Sequence, residues 1–343
     1  MKAQAESFPE MQSLTRPAFS SAQLNLDKLS GVERLDLSVA QPSPTRHLQF
    51  IPSAGASFQL TPHEAAWQLS ARGNGLQLGL EMPGKHGVGL MLEMRRTAYN
   101  PADDQPVIFH VNGKEWPLAL DPHHLSFQTQ SWYLPHSYLH EGANVIGLRL
   151  APEAKTDVLV KAVAVMRFEL EPQRTDNWCW AAVTQSLLRF FNSNEKRTQC
   201  EIVRTCFNHP SQPGLKTAKD CCQEPRCEEC NKGFKLMEAL DILGIQSARC
   251  NYPLSLREIR AQLTLGVPII VRIRWQGGGG HYVVITAIGP PPAAGKGEEE
   301  TWLRVADPLD PSASYMTYRT LKGNQEWNWT HSFLFEKLRE PHS

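Results

Sequence analysis

Gln173-Arg174-Thr175-Asp176-Asn177-Trp178-Cys179-Trp180-Ala181-Ala182 is the stretch on which the reading of this chain turns. Polar residues run up to Asn177 and give way to CWAAVTQSLLRFF over 179–191, where apolar side chains recur at 180, 183, 187, 190 and 191. That recurrence is helical, so Cys179 is expected where a helix begins. The positive end of the helix dipole lies there and favours an anion. The thiolate is the nucleophile of cysteine chemistry, and a helix N-terminus and a nearby imidazolium are two devices that favour it. The alternative reading of Cys179 is a buried packing cysteine in front of a helix.

Working outward, Gln173 stands six residues before Cys179. In a turn leading into a helix its amide can fold back and donate to an oxyanion beside the sulfur; otherwise it is an exposed loop residue. Four histidines follow Cys179, at 209, 281, 331 and 342. His281 follows Gly277-Gly278-Gly279-Gly280 and opens the apolar run Tyr282-Val283-Val284-Ile285. A histidine at a strand start can face a helix terminus across a cleft, so His281 is the expected base. His331, ahead of Ser332-Phe333-Leu334-Phe335, is its rival. The third member should orient the imidazole and hold its tautomer. Asp307, after Leu303-Arg304-Val305-Ala306 and before Pro308, is the candidate, with Asp310 as the local alternative and a plain turn-forming aspartate as the bland one.

The order Gln173, Cys179, His281, Asp307 within one half of the chain resembles the papain-like cysteine peptidases. It resembles most the bacterial branch that includes the AvrRpt2-type effector proteases of plant pathogens, with Asn-Trp-Cys-Trp-Ala-Ala around the nucleophile and a glutamine six residues upstream. The resemblance runs from about 173 to 338. It implies Cys179 as nucleophile, His281 as base and Asp307 as orienting acid, with Gln173 and the Cys179 N–H as the oxyanion hole. It implies a protein or peptide substrate and no cofactor or metal. The lysosomal signature Cys-Gly-Ser/Ala-Cys-Trp/Tyr is absent, and the third residue is Asp rather than Asn, so a cathepsin-like preference is not implied. A thiol amidase acting on peptidoglycan or isopeptide bonds needs the same residues. A catalytically inactive sandwich-based binding protein is the non-enzyme alternative.

The rest of the chain is organised around this half. The eight cysteines all lie at or beyond 179, which separates two modules of different composition. Residues 1–45 are polar with little periodicity and are expected to be a loosely ordered arm. Residues 46–170 carry short apolar runs between turn signals, which predicts an all-β sandwich. Asn112-Gly113 between VIFHV and KEW is a two-residue hairpin signal. HVNGKEW and SWYLPHSYLHEGANVIGLRL resemble jelly-roll sandwiches of the galactose-binding type, a likeness of fold alone. It leaves the ligand open between a carbohydrate, a protein and none.

Residues 171–343 are expected to be α+β: helices over 179–191 and 234–243, a third opened by the capping box Ser255-Leu256-Arg257-Glu258, then strands over 267–275, 281–288 and 301–306. Cys200, Cys206, Cys221, Cys222, Cys227 and Cys230 crowd about thirty residues between. Disulfides are the first reading, and they imply an oxidising destination. A zinc site through Cys227 and Cys230 is the second, and free thiols the third. Connectivity is not readable from spacing.

Lys plus Arg and Asp plus Glu both number 35, so the formal charge is zero and neither nucleic acid nor an anionic membrane is expected as a partner. No run approaches the roughly 18 apolar residues of a membrane span. The N-terminal residues carry no apolar signal core. The expectation is a protein cytoplasmic as synthesised, with any export independent of a classical signal.

Overall fold

The computed structural model describes residues 32–37, 48–51, 57–60, 65–69, 75–82, 88–100, 102, 107–118, 125–134, 138–166, 168–192, 194–289 and 297–338. The first half is a two-sheet antiparallel sandwich. One sheet has the order β3 (Ser57–Leu60), β4 (Ala65–Leu69), β11 (Val158–Met166), β6 (Val88–Arg96), β9 (Gln128–Leu134), with β1 (Val32–Asp36) also on β11. The other runs β2 (Leu48–Ile51), β5 (Leu76–Met82), β10 (Gly142–Leu150), β7 (Val107–Val111), β8 (Lys114–Leu118). The turn between β7 and β8 is Asn112-Gly113, with φ of 49° and 82°, the double positive φ that such a hairpin needs. Strand β1 falls inside the stretch expected to be a loose arm; residues 1–31 and 38–45 of that arm lie outside the described residues.

The strands β6 and β11 are buried on both faces. Leu90, Leu92 and Met94 of β6, with Val158, Val160, Val163 and Val165 of β11, point into the sandwich core. Met91, Ala164 and Met166 point the other way, into the core of the second half. Strand side chains alternate between faces, and a strand covered on both sides reads as a continuous apolar run rather than an alternating one. VLVKAVAVM is such a run.

The second half is α+β. Its antiparallel sheet has the order β12 (Ile245–Cys250), β17 (Trp327–Leu338), β13 (Ile269–Trp275), β14 (His281–Ile288), β15 (Trp302–Asp307), β16 (Asp310–Thr317). Helices α1 (Cys179–Phe191), α2 (Gln199–Phe207), α3 (Leu236–Ile242), α4 (Leu256–Thr264) and α5 (Tyr318–Lys322) accompany it. Helices α1 and α4 both pack on β14, which is buried along its whole length. All of α1 is buried except Arg189, whose guanidinium pairs with Glu171. Its C-terminal rings bind three parts together: Phe190 meets Phe168 at 5.7 Å, and Phe191 meets Phe335 of β17 at 5.7 Å.

Helix α2 carries Cys200 and Cys206 of the cysteine-rich segment, for which the sequence predicted no helix. The structure pairs Cys200 with Cys222 and Cys221 with Cys230. A zinc site using Cys230 is thereby excluded, since its sulfur is bonded to Cys221. Cys179, Cys206, Cys227 and Cys250 are free thiols.

Candidate active site

Cys179 is the first residue of α1 and 7% exposed. The start of this helix is open. Its N-cap, Trp178, has an apolar side chain with no capping hydrogen bond, and the first turn holds no acid. The N–H groups of a first turn have no carbonyl within the helix to bind. The first helical bond runs from the Ala182 N–H to the Trp178 carbonyl, 2.9 Å. The N–H groups of Cys179, Trp180 and Ala181 precede that first bond, at the same helix end as the sulfur.

Two tryptophans fix this helix start in the core. Trp178 is fully buried and donates Nε1–H to the Cys230 carbonyl at 2.8 Å. Trp180 donates to the Lys232 carbonyl at 3.1 Å and packs on Phe207 and Phe234. The residues before the helix lean on the same segment. Asn231 Oδ1 accepts from Thr175 Oγ1 (2.9 Å) and from the Asn177 N–H (3.1 Å), and its carbonyl accepts from Asn177 Nδ2 (3.0 Å).

His281 is the first residue of β14, and its ring is buried and stacked on Trp275 with centroids 6.0 Å apart. Its Nε2 meets Asp307 Oδ1 at 2.6 Å. Burial by itself lowers the imidazole pKa. The hydrogen bond to Asp307 and then the contact with Cys179 outweigh that penalty and raise it from its ordinary 6.5 to about 9. Asp307 ends β15, and its Oδ1 also accepts from the Leu309 N–H at 2.8 Å. That second bond fixes the carboxylate's orientation from its own turn. Cys179, His281 and Asp307 thus converge from a helix start, a strand start and a strand end.

Gln173 reaches the same neighbourhood by its backbone: its N–H binds the Pro308 carbonyl at 2.8 Å, next to Asp307. Its side chain is turned into its own loop. Nε2 donates to the carbonyls of Thr175 (2.9 Å) and Asp176 (3.0 Å), while Oε1 is buried without a partner. Both amide hydrogens are engaged there, so an oxyanion would have to displace one of those carbonyls.

The rival His331 lies on β17, opposite Arg272 in register. Its Nδ1 contacts Thr330 Oγ1 at 2.9 Å. Burial, Arg272 and Arg249 all lower its pKa. Asp310, the alternative acid, is the register partner of Asp307 across the turn. The residue that sequence reasoning left unassigned is Asn231. The only signal for it was its place directly after Cys230.

A family described as Peptidase_C39 like family matches residues 165–332. No curated protein matches the chain. Among solved structures, a carbohydrate-binding module CBM36 in complex with calcium and xylotriose is similar at 10% identity, covering 39% of this chain and 98% of that one, TM-score 0.28. A family 35 carbohydrate binding module from Clostridium thermocellum is similar at 12%, covering 36% and 99%, TM-score 0.26. A third, a CBM35 from Cellvibrio japonicus, stands at 12%, covering 39% and 92%, TM-score 0.27. At these scores the likenesses assign neither ligand nor activity. The family match, laid over a helix-borne cysteine with a histidine and an aspartate beside it, supports a cysteine-peptidase kind of function for the C-terminal region.

Proposed function

We propose that the chain is a cysteine endopeptidase with Cys179 as nucleophile, His281 as general base and acid, and Asp307 as the group that orients the imidazole. The observation that carries this reading is His281 held between Asp307 and a thiol at an open helix start. Asp307 takes the Nε2–H, which leaves Nδ1 to accept the proton of Cys179. A buried imidazolium held at about 9 stays charged at neutral pH and places a cation beside the sulfur.

The thiolate attacks the peptide carbonyl carbon, and the C=O π pair moves onto oxygen. The Cys179 N–H faces the oxyanion, with the helix dipole behind it. Gln173 adds a side-chain donor by exchanging one of its carbonyl contacts for the oxyanion. Collapse expels the amine, which takes the proton from His281. Water then gives a proton to His281 and attacks the thioester, releasing the acid and returning the thiolate beside the protonated imidazole. The same steps serve a peptidoglycan or isopeptide amide; a digest of cell-wall fragments beside a peptide library separates these substrates.

The first test is labelling with iodoacetamide at pH 6, mapped by mass spectrometry. An ordinary thiol, with a pKa near 8.5, hardly reacts there. Rapid modification confined to Cys179 and lost in His281→Ala is the expected result. Slow or scattered modification would sink the reading. A role as a bacterial effector or toxin belongs to the same proposal. It fails if Cys179→Ala protein affects target cells as the active protein does.

A further inference from the structure

The start of α1 is not held from within. Trp178 offers no capping group, its φ and ψ of −100° and 20° are not those of a regular cap, and no first-turn side chain reaches back. Something outside the helix must therefore set where Cys179 sits. Five hydrogen bonds come from the segment 230–232, and three of them converge on Asn231. A single oxygen, Asn231 Oδ1, binds Thr175 and Asn177 together and so closes the loop that delivers Cys179 to the helix start. Asn231 is itself anchored, by its N–H to the Cys227 carbonyl at 2.8 Å and by its neighbour Cys230 in the disulfide to Cys221.

We infer that Asn231 is a positioning residue for the nucleophile: by joining Thr175 to Asn177 it holds the open first turn of α1, and with it the Cys179 sulfur, in register with His281. The inference rests on the thiol-hydrolase reading and deepens it. It gives the disulfide-bonded insert a task in the chemistry, that of a brace applied from a different part of the chain. Displacing a reacting group by about 1 Å can cost on the order of 10²-fold in rate, so a brace of this kind is visible in kinetics even when the fold survives.

The experiment is the rate constant for iodoacetamide modification of Cys179 in the full chain, measured from pH 5 to 9 alongside the melting temperature. The variants are Asn231→Ala, Thr175→Val and the double substitution. Asn231→Ala is expected to lower the rate at pH 6 roughly ten- to hundredfold and to push the lower limb of the pH profile upward. Thr175→Val removes one of the two bonds to Oδ1 and should lose less. Because both act through one contact, the double variant should match Asn231→Ala within about twofold rather than show the product of the two losses. A role in stability alone would lower the melting temperature and leave the profile of the folded protein in place, which overturns the inference. So does a wild-type rate in Asn231→Ala, or losses that multiply. Should Asn231→Ala fail to fold, Thr175→Val alone decides by the same rate. A wild-type protein that is itself unreactive at pH 6 would instead overturn the peptidase reading.

Discussion

Helices α1 and α4 pack on the same strand, yet they begin in opposite ways. At α4, Ser255 Oγ accepts from the Glu258 N–H (3.3 Å) and Glu258 returns the favour to the Ser255 N–H (2.8 Å), so the orphan donors of the first turn are answered inside the helix. Helix α2 begins with a similar pair, Glu201 accepting from the Thr198 N–H at 2.8 Å. At α1 no such group exists, and the donors stay available beside a thiol. A cap is worth about 1 kcal/mol to a helix. Helix α3 also lacks a side-chain cap but carries Glu238 in its first turn; forgoing both cap and acid at α1, and bracing that helix from outside, suits a site for a developing negative charge. The comparison makes stability the business of the closed starts and chemistry the business of the open one.

The sharpest way to break that division is at the open start. Cys179→Ala should abolish peptide hydrolysis, a loss on the order of 10⁴-fold or more, with melting unchanged within about a degree. His281→Ala should do nearly the same, while His331→Ala should leave the rate within about twofold, because general acid–base work is worth about 10² to 10⁴ only to the residue that performs it. An equal loss in both histidine variants would erase the distinction between the two corners of the sheet. Asp307→Asn comes next, with a loss of roughly ten- to hundredfold, since a partner that fixes the imidazole contributes less than the imidazole.

The pH dependence sharpens the same point. His281 has a folded pKa of about 9 against an ordinary 6.5. A raised folded value means that its stabilisation is fully present below 6.5 and is lost as pH rises through about 9. Activity, which needs the imidazolium to protonate the leaving amine, should fall along an alkaline limb near 9, and that limb should move down in Asp307→Asn. An unmoved limb would show that Asp307 is not what holds the proton. The smallest effect belongs to the closed start: Ser255→Ala should cost about 1 kcal/mol of stability and leave Cys179 labelling unchanged.

Much of this geometry was legible because local rules dominate there. The helix over 179–191 follows from periodicity, the start of α4 from its capping box, and the β7–β8 turn from Asn112-Gly113. His281 stood out because glycines and an apolar strand bracket it. Helix α2 was not legible, since it is short and lies in a segment read for its cysteines, whose connectivity is combinatorial rather than local. Strand β1 was missed because a short edge strand carries little pattern of its own. The destination of the Gln173 amide depends on which carbonyls lie nearest in three dimensions, and no spacing encodes that. Neither does spacing reveal Asn231, whose three bonds to Thr175 and Asn177 each span more than fifty residues of chain.

The sheet that carries β6 and β11 is a party wall, with a room on either side. Met91, Ala164 and Met166 furnish one room while Leu90, Leu92 and Val163 furnish the other. Modules joined by a linker can be shuffled between genes as separate parts. A wall papered on both faces holds the two halves against each other, and excising the sandwich would bare the apolar side chains of the second half that rest on it. The second half is therefore expected to need a substitute surface for Met91, Ala164 and Met166 wherever it stands without this sandwich.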